Sequence, residues 1–200
     1  PYMINIDTCN DALPKEQKDL GLKIRQSNLC SEITLPTDEE RTAVCCLSSV
    51  NLEHFDTWAK DDNFIQDLIT MLDNVLQHYI DNAIDTTQLG EYSANFKRFQ
   101  KYVREGKEGY TKSAYSAYRE RSLGLGAMGF HAYLQANNIP FEGIYATGFN
   151  HRAFTLIKAR AKEATKELAS QRGEAPDIHG SGKRNANLMA IAPNASSGII

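Results

Sequence analysis

The segment RSLGLGAMGFHAYLQANN, residues 121–138, decides the fold because it reads as a strand that runs through glycines into a helix. Its glycines Gly124, Gly126 and Gly129 also have the spacing of a dinucleotide-binding fingerprint. That fingerprint requires a strand before it and an acidic residue about twenty positions later. Here the preceding TKSAYSAYRER is polar, and Glu142 comes too early. Nucleotide binding at these glycines is therefore only a weak alternative.

Four other segments are predicted to be extended. Residues 2–6 read as a short buried strand, and residues 22–35 as an extended segment. Pro36 closes the latter, because proline cannot donate a hydrogen bond to a strand ladder. Residues 43–52, AVCCLSSVNL, are a short apolar run without charge, and residues 187–193, NLMAIAP, read as a last strand. Strands alternating with helices predict an α/β fold.

Apolar residues spaced three and four positions apart predict the helices between these strands. The clearest helix starts at Asp61 and runs for about twenty residues, and a second one follows it. A third, long helix is predicted to be capped by Asn150 and ended by Gly173 and Pro176, while residues 7–19 read as a polar loop. The apolar positions of the three helices are Phe64, Ile65, Leu68, Ile69, Leu72, Val75, Leu76, Tyr79 and Ile80; Tyr92, Phe96, Phe99 and Val103; and Phe154, Ile157, Ala161, Ala164 and Leu168.

The composition indicates an ordinary globular chain. It is 42% hydrophobic and 24% charged, and its net charge of −3 gives no electrostatic reason to expect nucleic acid or a membrane surface. No apolar run approaches a membrane span, no secretion signal is visible, and four cysteines fit a reducing compartment, so we expect a cytoplasmic protein. The chain begins without methionine in a strand-like run, so we expect residues 1–200 to be a single partial domain of a longer protein.

The stretch QSNLCSEITLPT, residues 26–37, places an amide, a thiol and a carboxylate at every second position. In an extended chain such residues share one face and follow each other at about 6.6 to 6.8 Å. Asn28, Cys30 and Glu32 would then present three reactive groups along roughly 13 Å, enough to span a sugar ring. A half-buried edge strand has the same pattern, and the spacing alone favours that interpretation.

A second group of cysteines follows at Cys45 and Cys46. Adjacent side chains on a strand point to opposite faces, so only one of the two can face a site lined by Cys30. A structural zinc site that also includes Cys9 is conceivable, but the spacing lacks the paired cysteines of zinc knuckles. A dithiol oxidoreductase is a weaker option still, because the sequence has no C-x-x-C.

The C-terminal APNASSG, residues 192–198, has the composition of an anion-binding turn. A strand that ends in a small polar turn leaves backbone amides available to an anion, and a following helix would add a favourable field. An ordinary serine-rich turn is the alternative.

Two residue types receive no chemical role. The histidines do not cluster at metal-ligand spacing, and three tyrosines are interpreted as loop anchors. These residues are His54, His78, His131, His151 and His179, and Tyr110, Tyr115 and Tyr118.

Taken together, the motifs resemble the catalytic region of the class I ribonucleotide reductase large (alpha) subunit. RQSNLCSEITLPT, AVCCLSSVNL, RSLGLGAMGFHAYL and GKRNANLMAIAPNASSG, with the opening PYMINID, have the order of that family. The resemblance implies the C-terminal part of a ten-stranded α/β barrel with a central finger loop that carries the radical cysteine. It also implies that the glycines of residues 121–138 serve a barrel strand turning into its helix.

The resemblance implies a role for each reactive residue. Cys30 matches the cysteine that becomes a thiyl radical and removes the 3′-hydrogen of the ribose. Glu32 matches the general base for the 3′-hydroxyl, and Asn28 the amide that steadies that carboxylate and the substrate hydroxyls. Cys45 matches one half of the redox dithiol, and Cys46 is expected to be a packing residue. The implied substrate-binding residues, with the diphosphate held by the last four, are Ser27, Pro193, Asn194, Ala195, Ser196 and Ser197.

The resemblance also implies partners and cofactors. Such enzymes reduce ribonucleoside diphosphates, take their radical from a metal-containing small subunit and are re-reduced by a dithiol of the thioredoxin or glutaredoxin type. The chain itself is expected to bind no metal or other cofactor. We expect it to need the remaining segments of the large subunit, including the partner of Cys45, the nucleotide-binding allosteric regions and a homodimer. A non-catalytic α/β module that binds phosphate or metal is the competing hypothesis.

Overall fold

A computed structural model describes residues 3–82 and 111–197 of the chain. The second predicted helix, with its residues 92–103, lies outside the described residues, as do Tyr110 and Gly198. Within the described ranges no helix is both long and apolar enough to cross a membrane.

The centre of the fold is a pair of parallel strands, β1 (Cys46–Asn51) and β2 (Leu123–Met128). Cys46 lies opposite Leu123 and Asn51 opposite Met128. The predicted strands in these two segments are thus confirmed. The segment predicted as a last strand pairs with the other edge of β2 only through Asn187 to Ala190, including a parallel bridge between Leu125 and Met189.

The three glycines of β2 and its turn allow close approach of neighbouring backbones. A side chain at Gly126 would overlap the carbonyl of Ala190, and one at Gly124 would overlap Leu47. Gly129, with φ of 74°, occupies the left-handed region at the start of the next helix. The strand-to-helix interpretation of these glycines is therefore confirmed.

Helices cover the sheet and bury an apolar core. α4 (Phe64–Asn82) packs against both strands, against α5 (Lys112–Glu120) and against α7 (Ile144–Arg172). α6 (Phe130–Ala136) follows β2 directly and packs near the 3-10 turn Leu52–His54 and α3 (Phe55–Trp58). The residues of α4 and α7 that are buried in the core are Ile65, Ile69, Leu72, Leu76 and Ile80, and Ala146, Phe149, Ala153, Ile157, Ala161, Ala164 and Leu168.

The long helix α7 starts earlier than predicted. Its N-cap is Gly143, in an extended conformation, so the prediction that Asn150 caps this helix is wrong. The reason is that Ala146 and Phe149 extend the buried stripe of the helix toward its N-terminus, and tertiary packing stabilises that first turn. Its predicted end at Gly173 is confirmed.

The N-terminal segment is helical rather than a strand and a loop. α1 spans Ile6–Asp11 and α2 spans Lys15–Asp19, so the predictions for residues 2–6 and 7–19 are wrong over their described parts. The side chain of Asn5 caps α1 by accepting hydrogen bonds from the backbone of Asp7 and Thr8, at 3.1 and 3.3 Å.

Candidate active site

The segment of residues 28–33 is a tight loop and not an extended strand. Asn28 and Ile33 close it, because the Asn28 backbone nitrogen donates to the Ile33 carbonyl and the Ile33 nitrogen donates to Asn28 Oδ1, both at 3.1 Å. Ser31 occupies the left-handed region with φ of 65°, and its nitrogen donates to the Asn28 carbonyl. The prediction that Asn28, Cys30 and Glu32 share one extended face is therefore wrong, since the turn rotates them apart.

The flanks of this loop run side by side. Ile24 and Pro36 form an antiparallel bridge, and Arg25 Nε donates to the Thr37 carbonyl at 3.0 Å. Pro36 therefore lies within the pairing of the two flanks, because a proline can still accept hydrogen bonds. The whole segment is a hairpin-shaped loop that carries Cys30 at its tip, where its side chain is exposed.

Glu32 and Cys45 come together in a small cavity of about 80 Å³. The cavity lies beside the first residues of β2 and the 187–190 segment, and its walls include Leu123, Asn187 and Met189. The Oε2 atom of Glu32 is buried there without a hydrogen-bond partner in the described part of the chain. A carboxylate oxygen in this state is poised to accept a proton or a hydrogen bond from a bound group.

At the start of β1 the side chains of the two adjacent cysteines point to opposite faces, as expected. Cys45 lines the cavity with Glu32, while Cys46 packs against the apolar core. Burial raises the pKa of Cys45 to about 12, with further contributions from Cys46, Glu120 and Glu32. The thiol of Cys45 is therefore held in its protonated form at neutral pH. Burial also raises the pKa of Cys46, against the opposing charge of Arg121.

Ser27 and Asn28 line a different, larger cavity of about 840 Å³. Its opposite wall is formed by residues 37–43, and it shares Ile33 and Leu35 with the small cavity. Asn28 and Glu32 thus line different cavities, which have Ile33 and Leu35 in common. A volume of this size is within the usual range for small-molecule sites.

The serine turn stands apart from both of these cavities. Ala195, Ser196 and Ser197 are exposed, and Ser197 Oγ donates to Asn194 Oδ1 at 3.3 Å. Asn194 Nδ2 donates to the Ala192 carbonyl at 2.9 Å, and the neighbouring Pro193 is also exposed. The turn belongs to the same extended segment that pairs with β2, which connects it to the small cavity through Ala190.

Two buried polar networks lie beside the site and join segments that are distant in the sequence. Asp73 on α4 binds Arg121 and Arg172 at 2.9 Å each and also contacts Asn185. Burial alone would raise its pKa, but Arg121 and the neighbouring arginine Arg184 lower it. Each partner comes from a distant segment, so no local pattern could reveal the network.

The second network surrounds Glu120 and Asp177. Arg41 and Arg119 both bind the buried carboxylate of Asp177. Glu120 accepts hydrogen bonds from Ser116 and Ser122, and burial raises its pKa to about 7. A buried carboxylate whose pKa lies near 7, beside the cavity of Glu32 and Cys45, is a functional candidate that sequence reasoning missed.

The remaining singled-out residues show no reactive arrangement. Tyr115 and Tyr118 belong to α5 rather than to a loop, and the guanidinium of Arg41 lies 5.4 Å from the ring of Tyr115. Cys9 lies on α1 as a free thiol. Within residues 3–82 and 111–197, no three histidine, cysteine or acidic side chains are grouped so as to hold a metal ion.

Comparisons of the sequence with known proteins all indicate the same enzyme family. The sequence profile of the family described as "Ribonucleotide reductase, barrel domain" matches residues 1–181. The chain is 46% identical over 200 residues to the ribonucleoside-diphosphate reductase large subunit of Invertebrate iridescent virus 3, of which it covers 28%. It is 47% identical over the same length to the putative large subunit of Frog virus 3, of which it covers 32%.

A solved structure extends the similarity to the fold. The alpha subunit of the Actinobacillus ureae class Id ribonucleotide reductase superimposes on the whole chain with a TM-score of 0.82 and 34% identity. The chain covers 35% of that subunit. It thus spans about a third of the length of the relatives it matches.

Proposed function

The chain belongs to the ribonucleotide reductase barrel-domain family, and on that premise we propose that it supplies part of the catalytic centre of a ribonucleoside-diphosphate reductase large subunit. The observation that carries the proposal is the cavity shared by Glu32 and Cys45, in which a carboxylate oxygen lies buried without a partner. A general base and a redox thiol beside one small space are what reduction of a sugar hydroxyl requires.

The proposed reaction assigns one role to each side chain. Cys30, as a thiyl radical, takes the hydrogen atom from C3′ of the ribose, and Glu32 accepts the proton of the 3′-hydroxyl. The 2′-hydroxyl leaves as water while Cys45 and a second cysteine, outside these 200 residues, give up two electrons and become a disulfide. Cys30 then returns its hydrogen atom to C3′. In balance, one C–OH and two thiols yield one C–H, one disulfide and one water.

The geometry supports a substrate that arrives from outside the chain. Cys30 is exposed at the tip of its loop, so its sulfur is accessible to a sugar held by other parts of the protein. The small cavity has room for only two or three water molecules at about 30 Å³ each, enough for hydroxyl groups but not for a nucleotide. Asn28 and Ser27 would contact the substrate from the larger cavity.

Substrate binding and electron supply complete the proposal. The turn from Asn194 to Ser197 would hold the diphosphate with its backbone amides, and the exposed Pro193 before it would sit near the nucleobase. A metal-containing small subunit would supply the radical, and a dithiol protein of the thioredoxin or glutaredoxin type would reduce the disulfide. We propose that these events take place in a cytoplasmic homodimer of the complete large subunit.

The neighbouring cysteines offer a matched test of this assignment. In the complete large subunit, assembled with its small subunit and an external dithiol, Cys45→Ser should form no deoxyribonucleotide, because each turnover takes its two electrons from Cys45 and the second cysteine. Cys46→Ser removes the adjacent thiol from the apolar face and should retain repeated turnover. Continuous turnover by Cys45→Ser, measured as deoxyribonucleotide formed per subunit over time, would refute the proposed role of Cys45.

A further inference from the structure

Glu120, the last residue of α5, is a fully buried carboxylate that the proposed reaction does not use. Its Oε1 accepts a hydrogen bond from Ser116 Oγ at 3.0 Å, and its Oε2 accepts one from Ser122 Oγ at 3.2 Å. Both serines are also fully buried, so the carboxylate has two matched hydroxyl partners in the same environment.

Only one of these two hydroxyls leads to the active-site cavity. Ser122 Oγ accepts a hydrogen bond from Asn187 Nδ2 at 3.0 Å, and Asn187 lines the cavity together with Glu32 and Cys45. The backbone of Asn187 is fixed independently, because its carbonyl accepts a hydrogen bond from the Leu123 nitrogen at 2.9 Å. A continuous chain of hydrogen bonds therefore runs from Glu120 through Ser122 to the cavity wall.

The number of available protons determines which group donates in each of these hydrogen bonds. An ionised carboxylate can only accept, so Ser122 must donate its single proton to Glu120. Ser122 then has no proton for Asn187 and must accept from the amide nitrogen, which is the arrangement observed. When Glu120 is protonated, its hydroxyl can donate to Ser122 instead. Ser122 is then able to donate to Asn187 Oδ1, an arrangement that requires the side-chain amide of Asn187 to turn over.

We propose that Glu120 is a positioning residue for the cavity of Glu32 and Cys45, and that its protonation state determines which end of the Asn187 amide faces that cavity. The inference rests on the proposed function only for the roles of Glu32 and Cys45. When Glu120 is ionised, Ser122 holds the NH₂ group of Asn187 and the carbonyl oxygen is left to face the cavity. When Glu120 is neutral, Ser122 holds the carbonyl oxygen and the NH₂ group is left to face the cavity. The polarity that a bound hydroxyl meets would change accordingly.

Burial, together with the neighbouring hydroxyls and charges, places this change near neutral pH. Burial is the largest influence and raises the pKa of Glu120 to about 7, the Ser116 hydroxyl lowers it, and the charge of Asp177 raises it further. The Ser122 hydroxyl and the charge of Arg41 lower it. Glu32 and Cys45 are the titratable groups on the cavity side, and Cys45 stays protonated throughout this range because its own pKa lies near 12.

The side-chain amide of Asn187 can report on Glu120 directly by nuclear magnetic resonance of the full 200-residue chain between pH 5 and 9. In the wild-type chain we expect the Asn187 NH₂ signals to shift with one midpoint near pH 7, which is the pKa of Glu120. Glu120→Gln should abolish the shift. Ser122→Ala should also abolish it, because the link between the carboxylate and the amide is gone.

Ser116→Ala is the matched control, since it removes the same group from the same carboxylate on the side away from the cavity. The shift should persist in this variant with a higher midpoint. In the wild-type chain the hydrogen bond from Ser116 stabilises the ionised carboxylate, so its loss raises the pKa of Glu120. An Asn187 signal that does not titrate in the wild-type chain would overturn the proposal, even if a variant fails to fold. Titration retained in Ser122→Ala, or lost in Ser116→Ala, would also overturn it. None of these readouts depends on reductase turnover, so the proposed function can fail independently.

Discussion

At the scale of single residues, the chemistry of the site depends on neighbours that lie far apart in the sequence. Glu120 stands next to the cavity of Glu32 and Cys45 because α5 ends there, and its environment includes Arg41 and Asp177 from distant segments. A buried carboxylate of this kind favours its neutral form, because burial penalises the charge. Burial of Glu120 should therefore destabilise the fold only at a pH high enough to ionise its carboxyl group.

The stability of the chain should record this cost. Glu120 has a pKa of about 7 when folded, against an ordinary value of 4.5, so its favourable contribution is complete below pH 4.5 and is lost as pH rises through 7. Relative to Glu120→Gln, the wild-type free energy of unfolding should fall by roughly 3 kcal/mol between pH 4.5 and 8. Urea denaturation at several pH values measures this difference.

The control for this prediction is Glu163→Gln, which changes an exposed carboxylate on α7. Its stability profile should run parallel to the wild-type profile over the same pH range. A Glu120→Gln profile that is also parallel to wild type would contradict the burial effect on Glu120.

Individual residues also show what sequence could and could not predict. The opposite faces of Cys45 and Cys46 follow from strand alternation, which is a local rule, and the structure has this arrangement. The charged neighbours of Glu120, Arg41 and Asp177, and the partners of Asp73 come from segments up to about a hundred residues away, and no alternation or spacing encodes them. Local rules therefore predicted orientation but not polar networks.

At the scale of elements, the loop of residues 28–33 and the glycines of β2 shape the site. The loop was expected to be extended, but Asn28 closes it with its own side chain, and Ser31 adopts a left-handed conformation. Asparagine commonly forms such local hydrogen bonds, which compete with strand pairing. Helix signals near the N-terminus were missed for a related reason, because Asn5 caps a short helix.

The glycine of β2 that faces the last extended segment should be sensitive to substitution. Gly126→Ala forces a methyl group against the Ala190 carbonyl, so we expect a loss of about 1 to 3 kcal/mol in the free energy of unfolding. Gly148→Ala, within α7, meets no atom within 4 Å and should stabilise the chain by about 0.5 to 1 kcal/mol. Chemical denaturation of both variants gives the comparison, and changes of the same sign would contradict the close-packing role of Gly126.

At the scale of the whole molecule, the buried Asp73 connects the parts that surround the site. It joins α4 to Arg121 between α5 and β2, to Arg172 at the end of α7 and to Asn185 before the last extended segment. Removing one partner of such a buried ion network commonly costs several kcal/mol. The position of residues 187–190 beside β2, and so one wall of the Glu32 and Cys45 cavity, depends on this centre.

The overall class of the fold was accessible from sequence because strands and helices alternate with distinct periods. The barrel to which these elements belong was accessible only through the resemblance of the motifs, since the chain spans about a third of its relatives. The joint assembly of Cys30, Glu32 and the serine turn around one substrate remains a prediction about the complete large subunit.

The most direct measurement is deoxyribonucleotide formation by the complete large subunit carrying Cys30→Ser, assembled with its small subunit and given a ribonucleoside diphosphate. With only one sulfur replaced by oxygen at an exposed loop tip, the variant should bind the diphosphate nearly as well as wild type. We predict no product above background, because a serine cannot take the place of the hydrogen-abstracting thiyl radical. Turnover at the wild-type rate would show that Cys30 does not perform the chemistry and that the catalytic centre lies elsewhere.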